Sequence, residues 1–453
     1  MWRNNKIWCA FTLIKKYKNI INLILKNIIL SVRFFVMKKY IVYISIFIVM
    51  ISITTKIYAD DFEEEAEDTS WIYEEIESAS SNKNGEPTLN SRAVVVYDRN
   101  SKDIIWGKDE NSRRKMASTT KIMTSIIVIE NIKDLTQIVE ISERSACIGG
   151  SRLGLSKEDK ITVNDLLYGL MMKSGNDCAI ALAEFTSGSV GEFVKQMNNK
   201  AKELELTNTH FVTVNGLDEE EHYTTALELA KLTDYALNNK IFRQIVGTKN
   251  YNIRINGYTK SIGNTNELLG NLNGVYGVKT GFTNGANRCL VTAIKRDNMD
   301  LICVVLGADT KKDRTKDSIN IIEYVFSNYQ MINIDEKIKN AYKEWKDKNK
   351  IMVIKGIKQY AETEIKEYQV KEIPVYKQYI NKIEVEIENL KVLNSPVIKD
   401  MKVGEIQVKV NKKLKLSIDL LTNKEIRKKN EKNYLYEILY NYKNYFQKIT
   451  RKN

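Results

Sequence analysis

Residues 116–124 of this 453-residue chain read Met-Ala-Ser-Thr-Thr-Lys-Ile-Met-Thr. Ser118 precedes Lys121 by three residues, about one helical turn, so the two side chains share a face if this stretch is helical. A serine hydroxyl is a weak nucleophile until a nearby base takes its proton. Lysine can be that base when burial or a neighbouring cation lowers its pKa. The pattern alone decides nothing, because Ser118 would also serve as a helix N-cap and Ser-x-x-Lys recurs at Ser80 and Ser112.

Two more short motifs follow in the same domain-sized stretch. Ser-Gly-Asn at residues 174–176 comes soon after an apolar helical run, so it fits either a glycine-capped helix end or a serine relay with a substrate-binding amide. Lys-Thr-Gly at residues 279–281 precedes an apolar hairpin. Its lysine and threonine suit a terminal carboxylate, and its glycine lets a substrate backbone approach a sheet edge. The fixed order of the three motifs favours the catalytic interpretation.

Charge is distributed unevenly along the chain. The formal net charge is +13, but residues 1–59 hold ten Lys or Arg and no acid, so the other residues carry 13 − 10 = +3. A nearly neutral body gives no electrostatic argument for nucleic acid as a partner. Residues 60–88 lack hydrophobic periodicity and hold ten Asp or Glu within residues 60–77, which predicts a disordered acidic lead-in.

The cysteines and histidines argue against a metal centre. Five cysteines, at positions 9, 147, 178, 289 and 303, include no Cys-x-x-Cys pair, and the histidines are His210 and His222. We therefore expect no metal, no cofactor and no Ser-His-Asp triad. The histidines are predicted to be hydrogen-bonded structural residues, and the mature cysteines to be free and mostly buried.

The amino terminus has the layout of an export signal. Residues 37–59 comprise a basic start, an uncharged apolar run at residues 40–55 and an Ile-Tyr-Ala end before an acidic segment. That run is shorter than the ~20 residues that a membrane-spanning helix needs. Residues 1–36 have no place in such a signal, so they are predicted to be an upstream extension, with translation starting at Met37 or with an unusually long basic leader. We expect an exported protein.

Periodicity predicts an α+β domain over residues 89–330. Strand-like runs lie near both ends, at residues 92–106 and 289–306, and helical patterns lie at residues 118–131, 163–172, 177–185 and 313–329. Strands at both ends with helices between them suggest an antiparallel sheet flanked by helices.

The carboxyl-terminal part differs in character. Residues 336–421 are predicted to form a small all-β domain, because short alternating apolar runs recur there. Residues 423–453 carry an apolar and aromatic stripe at helical spacing, with nine Lys or Arg against three Glu. This C-terminal basic amphipathic helix is expected to lie on an anionic membrane surface, with packing on the β domain as the alternative.

Four segments together resemble a known family. Residues 116–124, Asn-Thr-His-Phe at 208–211, Glu-His-Tyr-Thr-Thr-Ala at 221–226 and Gly-Val-Lys-Thr-Gly-Phe-Thr at 277–283 are similar to the D-alanyl-D-alanine carboxypeptidases. These are low-molecular-mass penicillin-binding proteins, here of the DacF type from Gram-positive spore formers, in the Ser-x-x-Lys acyltransferase group. The resemblance implies a β-lactamase/transpeptidase-like fold. It also implies a serine peptidase that removes the terminal D-alanine from peptidoglycan stem pentapeptides outside the cytoplasmic membrane, with β-lactam antibiotics as inhibitors.

The resemblance also implies residue roles. Ser118 would be the nucleophile, Lys121 its proton acceptor, and Ser174 and Asn176 the second element. The substrate-binding residues would be Lys279, Thr280 and Gly281, with Phe282 as an oxyanion N–H donor beside Ser118 and Arg314 near the substrate carboxylate. Two departures from the family pattern, Met116 and Asn287 in place of proline and glycine, do not touch the chemistry directly.

Two rival functions share parts of the pattern. A class A β-lactamase needs a carboxylate to activate the deacylating water, and residues 205–208 nearly match its Glu-x-x-Leu-Asn loop. A helix end explains that segment better, because the β domain and terminal helix suit a cell-wall enzyme. A non-catalytic β-lactam receptor would normally carry several membrane spans before the domain. Strict carboxypeptidase, endopeptidase and weak transpeptidase activities stay open, as do roles in growth and in sporulation.

Overall fold

The computed structural model describes residue 26, residues 70–81 and residues 85–450. Apart from residue 26, the predicted upstream extension at 1–36 and the predicted export signal at 37–59 lie outside the described residues. Among the residues that are described, no helix has the length and apolar character needed to cross a bilayer.

Strands and helices alternate through the first domain. Its strands are β1 (Ala93–Asp98), β2 (Asp103–Lys108), β3 (Ile138–Glu140), β4 (Lys160–Thr162), β5 (Asn250–Ile255), β6 (Tyr258–Gly263), β7 (Val275–Thr283), β8 (Asn287–Arg296) and β9 (Met299–Ala308). Its helices are α1 (Ser70–Ser81), α2 (Lys121–Asn131), α3 (Glu143–Ala146), α4 (Val163–Met172), α5 (Asn176–Ser187), α6 (Val190–Glu203), α7 (Ala226–Leu237), α8 (Lys240–Val246) and α9 (Lys311–Asn328), with a 3₁₀ turn at Ala117–Thr120.

The core of this domain is a five-stranded sheet in the order β2-β1-β9-β8-β7. Every neighbouring pair is antiparallel. Alternate side chains of β1 enter two different apolar clusters, Val95 on the face covered by the helices between β2 and β7, and Val94 and Val96 on the face covered by α1 and α9. All six residues of β1 are buried because both faces are covered. The predicted antiparallel sheet flanked by helices is therefore confirmed.

Helix α1 corrects the prediction that residues 60–88 are disordered. Ile72 is completely buried and packs in the cluster between the sheet and α9, with Trp71 and Ile76 beside it. Glu75 also pairs with Lys316 of α9 at 3.4 Å. Tertiary burial of one apolar stripe stabilises this helix although its composition is acidic.

A second antiparallel sheet, in the order β3-β4-β5-β6, supports the helical side of the domain. The ring of Tyr251 in β5 stacks on Tyr168 of α4 with the centroids 3.5 Å apart. Lys260 in β6 donates from Nζ to the carbonyl of Leu153 at 2.6 Å. The sheet thereby holds the loop before β4, which reaches the site described below.

The second domain begins with β10 (Tyr329–Asn333) and α10 (Asp335–Lys348). The strands that follow are β11 (Ile351–Ile354), β12 (Tyr360–Ala361), β13 (Thr363–Ile365), β14 (Glu372–Tyr376), β15 (Ile383–Asn389), β16 (Val392–Asn394), β17 (Lys402–Val410) and β18 (Lys413–Thr422). They form a β10–β14 pair, a sheet β12-β11-β16 and a sheet β13-β18-β17-β15. The predicted β domain is confirmed, but the all-β description missed α10, whose Ile338 is buried among the strands.

The last helix, α11, spans Glu431–Thr450 and begins later than the predicted residue 423. Residues 423–430 join the β domain instead, because Ile426 is buried and bridges Val397 while Lys428 bridges Gly356. The apolar and aromatic side chains of α11 between Tyr434 and Tyr445 are largely exposed, with Leu435 and Ile438 at 59% and 64%. This exposure argues against the alternative that the helix packs on the β domain.

The cysteines of the described region follow the prediction. Among the described residues, Cys147, Cys178, Cys289 and Cys303 form no disulfide, and all except Cys147 are buried. Burial raises the pKa of the Cys178 thiol far above its usual range, so this thiol stays protonated and inert.

Candidate active site

Ser118 lies in a tight 3₁₀ turn that leads into α2, and it is completely buried. The hydroxyl of Thr119 donates to the carbonyl of Met116 at 2.6 Å, and that of Thr120 donates to the carbonyl of Ala117 at 2.7 Å. Ala117 has a φ of +47°, a left-handed conformation that is uncommon for a residue with a side chain. Such a turn persists only where its surroundings hold it in place.

The side chain of Lys121 is also completely buried and reaches back to the serine. Its Nζ donates to Ser118 Oγ at 2.7 Å, to Asn176 Oδ1 at 2.8 Å and to the carbonyl of Asn215 at 2.7 Å. The predicted placement of Ser118 and Lys121 on one face is confirmed. The three acceptors fix the amine beside the hydroxyl whose proton it would take.

The Ser-Gly-Asn motif lies in the turn between α4 and α5. Gly175 is the N-cap of α5, and its backbone nitrogen also donates to the carbonyl of Gly169 at the end of α4 at 3.1 Å, but the left-handed residue that ends α4 is Ser174 and not the glycine. Besides binding Lys121, the side chain of Asn176 donates from Nδ2 to the carbonyl of Gly149 at 2.8 Å. Ser174 has a φ of +58° and is buried, and among the described residues its hydroxyl has no hydrogen-bond partner. A buried hydroxyl in that state is a candidate to bond with a bound substrate.

Strand β7 runs directly beside the serine turn. A Cβ placed on Gly281 would lie 3.1 Å from the backbone nitrogen of Ser118, so only glycine allows this approach without displacement. Lys279 precedes Gly281 by two residues and therefore projects from the same face of the strand. Lys279 is 1% exposed, and its Nζ donates to the carbonyl of Thr280 at 2.9 Å. A second cation thus lies buried on the serine side of the sheet.

Thr280 and Arg314 lie toward the opposite face. Thr280 pairs with Leu290, which belongs to the cluster under α9, and its hydroxyl bonds with that of Thr265 at 2.7 Å. Arg314 of α9 is buried, and its Nη2 donates to both carboxylate oxygens of Glu267 at 2.7 and 2.8 Å. Although burial acts to raise it, the charge of Arg314 lowers the pKa of Glu267. The predicted place of Arg314 at the substrate carboxylate stays a prediction.

Phe282 contributes its backbone to the same edge of the sheet. Its ring is half-buried under the guanidinium of Arg288, whose Cζ lies 3.8 Å from the ring centroid. This contact holds the ring beside β8, and the backbone nitrogen of Phe282 follows Gly281 directly along the strand. The part of Phe282 as an oxyanion donor stays a prediction.

Sequence reasoning missed the loop at residues 213–218, which closes the other side of the turn. Asn215 supplies the carbonyl that accepts from Lys121. Gly216 has a φ of +92°, and a Cβ there would lie 1.9 Å from the carbonyl oxygen of Ala117. The Asn-Gly dipeptide is a turn signal that could have indicated a loop. Its contact with the serine turn could not be predicted, because the two segments are far apart in the sequence.

Two buried or half-buried carboxylates fix the loops around the site. Asp218 accepts from the Thr283 hydroxyl at 2.8 Å and from the Gly285 backbone nitrogen at 2.7 Å, tying the 213–218 loop to the β7–β8 turn. Asp177 accepts from the backbone nitrogens of residues 153–155 at 2.8–3.1 Å. These carboxylates hold the two loops that border Lys121 and Asn176.

His222 supports the serine turn from behind. Its Nδ1 accepts from the backbone nitrogen of Val212 at 2.9 Å, so Nε2 carries the proton and donates to the Thr120 hydroxyl at 2.8 Å. Burial, with the nearby His210, lowers the pKa of His222 to about 4. The Nδ1 of His210 meets the carbonyl of Glu221 at 2.7 Å. Both histidines are hydrogen-bonded, as predicted.

Glu205 is the carboxylate that the class A β-lactamase alternative would use. Glu205 is exposed and follows the end of α6 at Glu203, as the helix-end interpretation predicted. Within the described part of the chain, no group of three or more His, Cys, Asp or Glu side chains is arranged to hold a metal ion.

Comparison with known proteins identifies the family. A family model described as D-alanyl-D-alanine carboxypeptidase matches residues 80–310. The chain belongs to this family. It is 34% identical over 324 residues to the D-alanyl-D-alanine carboxypeptidase DacF of Bacillus subtilis, covering 70% of this chain and 81% of that protein. A D-alanyl-D-alanine carboxypeptidase of Streptomyces is 35% identical over 258 residues, covering 53% of this chain and 89% of that protein.

Solved structures of the family have the same fold. Penicillin-binding protein 5 of Haemophilus influenzae superimposes with a TM-score of 0.64 at 26% identity, covering 76% of this chain and 99% of that one. The Streptomyces K15 DD-transpeptidase gives a TM-score of 0.52 at 33% identity, covering 54% of this chain and 99% of that one. This carboxypeptidase is therefore a serine peptidase with the fold of the penicillin-binding proteins.

Proposed function

We propose that this D-alanyl-D-alanine carboxypeptidase removes the terminal D-alanine of peptidoglycan stem pentapeptides through an ester on Ser118, and that β-lactams acylate the same serine. One observation carries the assignment. The Nζ of Lys121 lies 2.7 Å from Ser118 Oγ in a buried turn, with the backbone of Gly281 against the Ser118 nitrogen.

Acylation follows from this geometry. In the proposed step the ammonium of Lys121 first gives one proton to solvent, and its amine then takes the proton of the Ser118 hydroxyl as Oγ bonds to the carbonyl carbon of the penultimate D-alanine. The negative charge that develops on the carbonyl oxygen is proposed to be met by the backbone N–H groups of Ser118, which lies against Gly281, and of Phe282, which follows Gly281. The buried cation of Lys279 stabilises negative charge on the same side of β7.

Release of D-alanine needs a proton on the departing nitrogen. The unpaired hydroxyl of Ser174, two residues from the Asn176 that binds Lys121, is the proposed relay between the lysine and that nitrogen. The carbon–nitrogen bond breaks as the nitrogen gains its proton, and a water molecule then hydrolyses the ester on Ser118.

The outer edge of β7 is the proposed binding site for the peptide. Within the described part of the chain β7 is the last strand of its sheet and pairs with no strand other than β8, so an added extended segment could pair with its outer backbone groups. Gly281 in the middle of this edge permits close approach, and Asn176 supplies an amide. The terminal carboxylate of the peptide is proposed to meet Lys279 on the serine side of the strand, because Thr280 and Arg314 lie toward the opposite face and Arg314 is bound by Glu267.

We also infer that the enzyme is exported and acts peripherally at the outer face of the cytoplasmic membrane. The supports are the predicted signal at residues 37–59, the cell-wall substrate, and α11. Its exposed stripe of Leu435, Ile438 and Tyr442 stands among basic residues, as in helices that lie in an anionic interface.

The test uses residues 61–453, which form a compact unit by themselves. Incubation with a diacyl-Lys-D-Ala-D-Ala peptide should release D-alanine, while nitrocefin hydrolysis stays slow. Penicillin should leave one adduct, on the tryptic peptide that contains Ser118. Ser118→Ala should abolish both results, and Ser112→Ala, which alters another Ser-x-x-Lys pattern, should abolish neither. An adduct on Ser112 or Ser80, or nitrocefin turnover that outpaces D-alanine release, would contradict the proposal.

A further inference from the structure

The outer face of the β12-β11-β16 sheet carries apolar side chains where a solvated sheet face is ordinarily polar. Ile351, Val353 and Leu393 point inward and are buried in the core of the domain. On the other face, Met352 pairs with Tyr360 in β12 and with Val392 in β16. The outward residues therefore form a row across the sheet.

We define this surface as the sheet patch. It comprises Met352 (45% exposed), Ile354 (44%), Tyr360 (39%) and Val392 (47%) on the strands, with Ile357 (49%), Leu390 (52%) and Ile398 (65%) on the adjoining loops. Single exposed apolar residues need no explanation, but seven of them on one sheet face and the loops that join its strands indicate an interaction surface.

The segments that carry and adjoin the sheet patch are basic. Residues 350–360, 389–401 and 423–432 hold ten Lys or Arg against three acids, and with Glu362 and Glu437, which pair with Lys358, Lys424 and Lys429, the net charge is 10 − 5 = +5. Lys350 lies with Nζ 5.3 Å from the ring centroid of Tyr360. Long basic side chains around an apolar centre can keep their charges at lipid headgroups while the centre enters the acyl boundary.

The sheet patch is also continuous with α11. The backbone nitrogen of Lys429 donates to the carbonyl of Lys355 at 2.8 Å, and Lys428 bridges Gly356. The helix begins two residues after this attachment, at Glu431. Its exposed stripe therefore starts at the border of the patch, so one surface could receive both.

We propose that the sheet patch is a second membrane-contact surface, which binds an anionic bilayer together with α11. This rests on the proposed peripheral location of the enzyme. Apolar contact by Met352, Ile354 and Val392 supplies affinity, and the basic border supplies selectivity for anionic lipid. A helix alone would leave the β domain free to rotate about its attachment. Two contacts fix how the domain stands on the membrane.

The test compares two double variants of residues 61–453 that add the same charge. Met352→Glu with Ile354→Glu alters the patch, and Ile138→Glu with Tyr258→Glu alters two exposed apolar residues of the second sheet in the first domain. We expect the patch variant to bind vesicles of phosphatidylglycerol and phosphatidylcholine about tenfold or more weaker than the parent, and the control variant to bind as the parent does. D-Alanine release from a soluble peptide should be equal in all three, so a failure of the catalytic assignment would be seen separately.

A truncation separates the patch from the helix. A variant ending at residue 430 should retain weak, salt-sensitive binding to anionic vesicles, and adding the two patch substitutions should remove it. Two results would overturn the proposal. In one, the patch variant binds vesicles as tightly as the parent while the truncation alone abolishes binding. In the other, the patch substitutions change only self-association in gel filtration, which would make the patch an interface between copies of the chain.

Discussion

Substitution of Gly216 by alanine should disable the serine although it removes no group that takes part in the chemistry. The added Cβ would lie 1.9 Å from the carbonyl oxygen of Ala117, 2.4 Å from its carbon and 2.9 Å from the nitrogen of Ser118. Ordinary carbon–oxygen contacts lie at about 3.3 Å. Because all three neighbours are backbone atoms, the serine turn or the 215–217 backbone must move by roughly 1.4 Å to restore a contact at that distance.

This displacement acts where the geometry is tightest. Asn215, the residue before, supplies a carbonyl to Lys121, so movement of either segment disturbs the pairing of Lys121 with Ser118. A misplacement of about 1 Å can cost about 100-fold in rate, and we expect the acylation rate constant to fall by at least that factor. The left-handed backbone at φ +92° adds a conformational cost of about 1–2 kcal/mol, and overpacking adds about 1–3 kcal/mol.

The assay follows labelling by a fluorescent penicillin under pseudo-first-order conditions, with urea unfolding of the same samples. Gly188→Ala is the matched control, because Gly188 has a φ of +73° but nothing within 4 Å of the added Cβ. In Gly188→Ala the free energy of unfolding should fall by the conformational cost alone, about 1–2 kcal/mol, and the acylation rate should not change. If Gly216→Ala acylates as fast as Gly188→Ala and unfolds at the same urea concentration, close contact between the loop and the serine turn is not what positions Ser118.

Three more predictions concern the lysines, the buried histidine and the membrane helix. Lys121→Ala should slow acylation by roughly 10²–10⁴-fold, as expected for loss of a general base, whereas Lys279→Ala should weaken substrate use and leave slow acylation detectable. Equal, small effects on the penicillin-labelling rate would contradict these roles. Because the pKa of His222 is lowered to about 4, the unfolded chain binds more protons than the native one between about pH 4 and 6.5, so stability should fall by roughly 3 kcal/mol as pH drops through that range. His222→Gln should flatten this dependence in urea unfolding, and an unchanged slope would assign it to other groups. Removal of residues 431–453 should leave D-alanine release intact and weaken sedimentation with anionic vesicles, an effect that added salt should reduce; equal partitioning would place the anchor elsewhere.

The sequence by itself determined the features that depend on short spacing. Ser118 and Lys121 meet because three residues make about one helical turn, and the structure confirms this with a direct hydrogen bond. The strands of the central sheet and the amphipathic pattern of the last helix were likewise readable from local periodicity. For residues that lie far apart in the sequence, the predicted roles came from the family resemblance.

The tertiary structure decided which groups complete the site. The carbonyl of Asn215 reaches Lys121 across 94 residues of chain, and the amide of Asn176 reaches it across 55. No periodic pattern links such positions, so only packing could bring them together. Alternation along a strand places Lys279 and Thr280 on opposite faces, but which face belongs to the site was set by the contact of Gly281 with Ser118.

Long-range packing also explains why the prediction of disorder for residues 60–88 was wrong in part. Acidic composition predicted disorder for residues 60–88, yet Ser70–Ser81 forms a helix because Ile72 enters the apolar cluster between the sheet and α9. Amino-acid composition averages over all side chains of a segment. A helix can nevertheless be stabilised by the few apolar side chains on one face when that face packs against a helix distant in sequence. Local patterns therefore determine which side chains share a face, and long-range packing determines what that face meets.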